Sequence, residues 1–194
     1  MERETELRLV ARIRAGDPAA FEAVYDEFRP RLFSFLVRLS RRRDVAEDLL
    51  EETWLRLVAA APRLADDTSL AAWLFTVARN LHASWCRHRA LDETRIHDAP
   101  ASWPLPSPGE TPFQAAARTE TERRLEGALA RLPVRDREVL LLVAVDELTP
   151  TEAAASLGLT PEASRKRLQR ARERLAAEMA AAGKSSHSAA EKQR

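Results

Sequence analysis

Residues 148–175, LTPTEAAASLGLTPEASRKRLQRARERL, constrain the fold more than any other part of the chain. Thr149 is placed to cap a helix, with Pro150 at its first position and Glu152 three residues on, which is the pattern of a capping box. Leu157-Gly158-Leu159 stops that helix, because glycine takes positive φ without strain. Thr160-Pro161 then caps and opens a second helix, which carries six basic residues against two acids. A short helix, a glycine turn and a basic helix predict a helix-turn-helix whose second helix enters the DNA major groove.

The basic helix divides by face. Ser164, Leu168, Ala171 and Leu175 recur at helical spacing and are expected to point inward. Arg165, Lys166 and Gln169 then point outward near the helix start, where such helices meet base edges. Arg167, Arg170, Arg172 and Arg174 lie alongside or further on and suit phosphates. A solvated, charge-rich surface helix is the plain alternative for any Arg/Lys helix. The capped partner helix and the glycine turn argue against it here.

Charge is segregated locally rather than globally. The net charge of the 194 residues is only +1, so any DNA surface must be confined to a patch. Residues 29–43 hold six arginines and no acid, and residues 44–52 hold five acids and no base. The single cysteine, Cys86, excludes an internal disulfide and fits a reducing cytoplasm. No apolar run reaches membrane-spanning length and the charged N-terminus has no signal-peptide core, so neither membrane insertion nor export is expected.

Five prolines crowd into residues 100–112, PASWPLPSPGETP. That density blocks helix and favours an extended segment. The expected organisation is therefore all-α: two small helical domains joined by a proline-rich linker, the C-terminal one a helix-turn-helix. The boundaries are drawn at residues 1–91 for the N-terminal domain, 92–114 for the linker, 115–182 for the C-terminal domain and 183–194 for a disordered tail.

The N-terminal part reads as helix throughout. A short first helix is followed by the stop-and-restart signal Gly16-Asp17-Pro18. Phe21, Val24, Phe28, Leu32, Phe35, Leu36 and Leu39 make the next apolar stripe. A third helix begins near Asp44, with Val45, Ala46, Leu49, Leu50, Trp54 and Leu57 able to face a core. A fourth, over about residues 69–90, has Leu70, Trp73, Leu74, Val77, Leu81 and Trp85 on its apolar side. Glu47/Glu51 and Asp48/Glu52 are like-charge pairs at helical spacing on the third helix, each weakening an isolated helix by a few tenths of a kcal/mol. Two such pairs suggest an acidic face for a basic partner, beside the alternative that acids near a helix start complement its dipole.

His82 and Cys86, with His88 nearby, are too few and too open for a metal site. A packed Cys86 and a surface His82 are expected instead. No nucleophile triad, phosphate-binding glycine loop or paired-carboxylate constellation is present, and no enzymatic activity, cofactor or metal is expected.

The order RDVAEDLLEETWLRL, SLAAWLFTVARNLHASWCRHRA, LARLPVRDREVLLLV and SRKRLQRARERL resembles the sigma-70 family of RNA polymerase sigma factors, in its extracytoplasmic-function (ECF) group. The resemblance covers about residues 21–179. It implies a transcription initiation factor that binds core RNA polymerase, through its β′ and β subunits, and directs it to promoter DNA. It further implies that the acidic helix docks on the β′ coiled coil, with Asp48, Leu49, Glu51, Glu52 and Leu55 as contacts. Minus-10 recognition and melting fall to Asp66, Thr68, Trp73, Arg79, Asn80 and Arg87. Minus-35 recognition falls to Arg165, Lys166, Arg167, Gln169, Arg170 and Arg174. An anti-sigma factor is an implied partner and the cytoplasm the implied compartment. The chain departs from the family at Glu51, usually glutamine, at Ala163 and Ser164, usually threonine and valine, and at Ala72, where primary sigma factors pair a second aromatic with the one at Trp73. Two other functions remain: a stand-alone helix-turn-helix regulator, and a decoy that holds polymerase or an anti-sigma protein without supporting transcription.

Overall fold

A computed structural model describes residues 3–92, 119–145 and 148–191 of the chain. All regular structure among them is helical. The N-terminal half contains α1 (Arg3–Arg14), α2 (Pro18–Ser40), α3 (Arg43–Ala60), a single 3-10 turn (Ala61–Arg63) and α4 (Leu70–Asp92). The C-terminal half contains α5 (Glu120–Arg131), α6 (Val134–Leu140), a π-helical turn (Leu141–Val145), α7 (Pro150–Leu157) and α8 (Pro161–Glu191). No helix of the described residues is long and apolar enough to cross a membrane.

The helix ends follow the local chemistry. Gly16 takes φ +78° after α1, and the Asp17 carboxylate then accepts from the Ala19 amide at 2.9 Å to start α2, with Pro18 at its first position. Arg41 closes α2 in the left-handed region at φ 60°, its amide donating to the Val37 carbonyl at 2.8 Å. The start of α4 is held from far away in sequence. The Glu6 carboxylate accepts the Leu70 amide at 2.7 Å, giving that helix end an acceptor that its own neighbours do not supply.

The apolar stripes meet as their spacing predicts. Val24, Phe28, Leu32, Phe35 and Leu36 of α2 are buried against Leu57 of α3 and Leu70, Leu74 and Phe75 of α4. Phe35 and Phe75 pack edge to face with centroids 5.3 Å apart. Each such buried Leu or Phe contributes about 1.5–3 kcal/mol. In the C-terminal half Leu129, Leu132, Val139, Leu142, Ala153, Leu157 and Ala171 are buried and continue the same apolar core across the two halves.

Most of the expected linker, residues 93–114, lies outside the described residues, as do residues 115–118, which the sequence places in the C-terminal domain. α4 itself runs to Asp92, one residue past the expected boundary. The expected tail differs more. α8 continues through Gly183 to Glu191, so the helix does not end at residue 182. An alanine-rich run precedes that glycine, and one glycine costs a helix only about 1 kcal/mol relative to alanine. Residues 192–194 lie outside the described set.

Candidate nucleic-acid and polymerase surfaces

The helix-turn-helix forms as its sequence dictates. The Thr149 hydroxyl accepts the Glu152 amide at 3.2 Å, and the Glu152 carboxylate accepts the Thr149 amide at 2.9 Å, completing the capping box of α7. Gly158 takes φ 64° and ψ 37° at the turn. The Thr160 hydroxyl accepts the Ala163 amide at 3.2 Å to start α8. Ser164 and Ala171 are buried beneath α8, and Leu168 and Leu175 pack half-buried beside them. The small Ser164 is therefore accommodated where a valine is usual.

Arg165, Lys166, Gln169 and Arg170 are exposed along the outer face of α8. Their recorded contacts stay within their own helix: Lys166 to Glu162 at 2.7 Å, and the Gln169 amide to Glu173 at 3.0 Å. Such short-range, solvated pairs yield readily to a DNA base edge or phosphate. Arg167, half-buried, turns toward the start of α6. There Arg135, Arg167, Arg170 and Arg174 surround a cleft of about 430 Å³. Arg174 is not a loose cation: it is ion-paired and hydrogen-bonded to the buried Asp136 of α6, which braces the recognition helix on its neighbour.

The candidate minus-10 residues gather at the start and along one side of α4. The loop before the helix is fixed from α1. Arg3 donates to the Asp67 carbonyl at 2.6 Å, Arg14 pairs with Asp66, and Glu6 holds the Leu70 amide. The Thr68 hydroxyl donates to the Ala65 carbonyl at 2.7 Å. Trp73 is half-buried and packs on the core, so only part of its ring can meet a base. Asn80 and Arg87 are exposed. Arg79 donates to the Asn80 side chain at 3.2 Å and stands 3.6 Å from Glu138.

His82 is buried, at 2% exposure, which corrects its expected surface position. The ring lies near Arg79 of its own helix and Arg137 of α6, between the two halves of the molecule. Burial, reinforced by Arg137 and Arg79, lowers its pKa to about 4, so the ring is neutral. Its Nε2 stands 3.6 Å from the Cys86 sulfur. Burial and the Glu138 charge raise the pKa of the Cys86 thiol, which favours its protonated form. Among the described residues no group of three or more His, Cys, Asp or Glu side chains is arranged to hold a metal.

The acidic helix is less uniformly acidic than its sequence. Glu47 pairs with Arg43 at 2.8 Å and Glu52 with Arg56 at 2.9 Å, each partner four residues away and outside the acidic run. Asp48 and Glu51 remain exposed. Leu49, expected among the polymerase contacts, instead faces the core at 8% exposure, because its spacing with Ala46, Leu50 and Trp54 puts it on the inner side. Leu55 and Val58 are exposed by 58% and 56%, large values for apolar side chains. They edge a cleft of about 840 Å³ whose floor holds Tyr25, Phe33 and Trp54. Val58 went unnoticed in the sequence, although it lies three residues beyond Leu55 on the same helical stripe.

Sequence reasoning also missed Arg137. This buried guanidinium donates to five carbonyls: Leu129 at 2.9 Å, Ala130 at 2.9 Å and Leu132 at 3.0 Å in its own half, and Arg38 and Leu39 at 3.1 Å in α2. It satisfies the open carbonyls at the ends of two helices at once. Its pKa falls to about 10 through burial and the neighbouring Arg41, so it stays charged at neutral pH. The capping box Thr119/Glu122 at the start of α5 carried a T-x-x-E signal that was open to reading.

Comparison with known proteins matches this geometry. Residues 24–91 match the family model described as Sigma-70 region 2, and residues 122–175 match Sigma-70, region 4. The chain is 36% identical over 151 residues to the ECF RNA polymerase sigma factor EcfG of Rhodopseudomonas palustris, covering 76% of this chain and 78% of that protein. It is 34% identical over 167 residues to the RNA polymerase sigma factor CarQ of Myxococcus xanthus, covering 84% and 91%. Among solved structures, the sigma factor RpoE of Bartonella quintana, in complex with the anti-sigma factor NepR, superposes with a TM-score of 0.66 at 27% identity, covering 82% of this chain and 96% of that one. The chain belongs to the sigma-70 family of RNA polymerase sigma factors, in its ECF group.

Proposed function

We propose that this protein is a transcription initiation factor that binds core RNA polymerase and directs it to promoters through minus-10 and minus-35 elements. The observation that carries the reading is the presence, in one chain, of a capped helix-turn-helix with an exposed basic face and of a separate helical half bearing the region 2 match. In this reading Arg165, Lys166 and Gln169 read minus-35 base edges, while Arg167 and Arg170 hold phosphates. Asp66, Thr68, Trp73, Arg79, Asn80 and Arg87 meet the opened minus-10 strand, where exposed bases need polar and aromatic partners beside a basic groove. Asp48 and Glu51, with Leu55 and Val58 at the edge of the aromatic cleft that Glu51 also lines, form the polymerase docking face: an apolar centre with acidic edges for a basic partner.

An anti-sigma factor as a further partner follows from the solved relative held by NepR. A factor that acts on polymerase and promoter DNA is expected beside the chromosome, in the cytoplasm. The stand-alone regulator is disfavoured, since it leaves the whole region 2 match and the acidic-apolar face without a role. Run-off transcription with core polymerase and purified protein, on promoters mapped after inducing the protein, tests the reading. Promoter-specific transcripts that require the protein are expected. Polymerase binding without transcripts would instead identify a decoy, and duplex binding without polymerase binding a regulator.

A further inference from the structure

The first helix reaches the loop before α4 with one polar row. Arg3, Glu6 and Arg14 recur at helical spacing on one side of α1, whereas Leu9, Val10 and Ile13 hold that helix on the core without them. Glu6 lies inside, at 8% exposure. Its Oε1 accepts the Leu70 amide at 2.7 Å and the Ala71 amide at 3.4 Å, and its Oε2 accepts Arg3 Nη1 at 2.7 Å. Arg3 extends the row, donating to the Asp67 carbonyl at 2.6 Å and to the Thr68 carbonyl at 3.4 Å. Arg14 pairs with the Asp66 carboxylate beside them.

We propose that Glu6 and Arg3 are positioning residues for minus-10 recognition: they fix the main chain of residues 67–71, and so set where the Thr68 hydroxyl and the Trp73 ring stand when the opened strand arrives. This rests on the initiation-factor reading, which puts those side chains against the strand. Neither Glu6 nor Arg3 touches DNA in it.

A helix leaves its first amides without partners, and a residue just before it usually supplies the cap. Here the local cap is weak. Ser69 stands 3.4 Å from the Ala72 amide, at the edge of hydrogen-bond distance, and its hydroxyl donates to Glu152 at 2.7 Å. The buried Leu70 amide is left to Glu6, whose negative charge also suits the positive end of a helix. Arg3 offsets the cost of burying that charge. The same guanidinium turns the Asp67 and Thr68 carbonyls toward α1, and the Ala65 carbonyl accepts from the Thr68 hydroxyl at 2.7 Å. The loop's main-chain acceptors therefore face the protein, and its exposed side chains are what an incoming strand meets. Recognition of a base demands that such groups be held within about 0.5 Å of their productive geometry, which residues behind the contact surface must ensure.

The test compares the full chain carrying Glu6→Ala, Glu6→Gln or Arg3→Ala with the parent. Each is assembled with core polymerase and assayed for initiation on two promoter libraries, one varied across the minus-10 element and one across the minus-35 element. Glu6→Ala leaves the Leu70 amide buried without an acceptor, and should lower initiation on the best minus-10 sequence by about tenfold. The minus-10 profile should flatten, while polymerase affinity and the minus-35 profile stay those of the parent. Glu6→Gln keeps an acceptor oxygen and should recover most of the minus-10 profile. Arg3→Ala should flatten that profile in the same direction. The Arg3 side chain is 51% exposed, so this variant carries the test if Glu6→Ala fails to fold. A merely structural role would scale both libraries together. That outcome, or an unchanged minus-10 profile in Glu6→Ala and Arg3→Ala, overturns the proposal. A parent that initiates on no promoter overturns the initiation-factor reading, and the positioning role with it.

Discussion

At the scale of single residues, the proposed function divides the outer face of α8 between base reading and phosphate holding. Arg165 is exposed near the helix start, whereas Arg167 is half-buried in the cleft with Arg135 and Arg170. Arg165→Ala is expected to relax preference at one minus-35 position, a bidentate arginine–guanine contact being worth about 1–3 kcal/mol of discrimination. Arg167→Ala should lower occupancy evenly across sequences and reduce the salt slope by about 1. Initiation by reconstituted holoenzyme on a library of minus-35 variants distinguishes them, and a profile that Arg165→Ala merely scales would move Arg165 to the phosphate class. His82 gives a second expectation. Its folded pKa of about 4 lies below the ordinary value of 6.5. The unfolded chain therefore takes up the proton first as pH falls, so the stability due to the neutral ring is complete above pH 6.5 and declines toward pH 4. Glu138, raised by burial, opposes this on its side of the interface. Urea midpoints across that window should fall less in His82→Gln than in the parent. Equal slopes would show that another group governs the response. Neither feature was equally legible beforehand: the outward triplet follows from helical spacing, but the burial of His82 depends on a half of the chain more than fifty residues away.

At the scale of the helices, the acidic face of α3 is narrower than its composition. Three of its five acids pair with nearby arginines, Asp44 with Arg42, Glu47 with Arg43 and Glu52 with Arg56, leaving Asp48 and Glu51 beside exposed Leu55 and Val58. Reversing Asp48 and Glu51 to lysine is expected to weaken core-polymerase binding by about tenfold or more, as loss of steering and complementary contact predicts. Helicity should be retained, since both side chains point to solvent. Circular dichroism with a polymerase pull-down measures both, and unchanged affinity would sink the docking assignment. Helix existence and inner faces were readable because apolar periodicity and caps are local; Thr149, Gly158 and Asp17 all behave as their spacing demands. The cap of α4 was not readable, because Glu6 reaches it across 64 residues of sequence. Leu49 carried two expectations, core-facing by its period and a polymerase contact by the resemblance, and its burial follows the 3.6-residue period, which decides which side chains of the helix face out.

At the scale of the whole molecule, the basic surfaces are small and lie on separate halves, and the net charge of +1 supplies no long-range attraction. The protein alone should therefore bind promoter duplex weakly at physiological salt, whereas polymerase, by setting both halves at their spacing on DNA, makes the second contact intramolecular. Anisotropy titrations with and without core polymerase measure this, and tight sequence-specific duplex binding by the protein alone would contradict it. The two-half organisation was legible from the proline cluster, but the contacts between the halves were not. Arg137, Glu138, Glu152 and Ser156 each have a sufficient local role in a helix, and nothing in their spacing announces a partner across the molecule.

The bracing of residues 66–70 by Arg3, Arg14 and Glu6 has a thermodynamic consequence. A loop that must organise itself around a captured base loses conformational entropy at the moment of capture. Here much of that ordering is complete when the N-terminal half folds, and α1, which touches no candidate DNA residue except through this loop, supplies it. If residues 66–70 take the opened strand as proposed, its capture is expected to behave as docking onto a rigid receptor, with a temperature dependence set by the melting of the DNA rather than by the ordering of the protein.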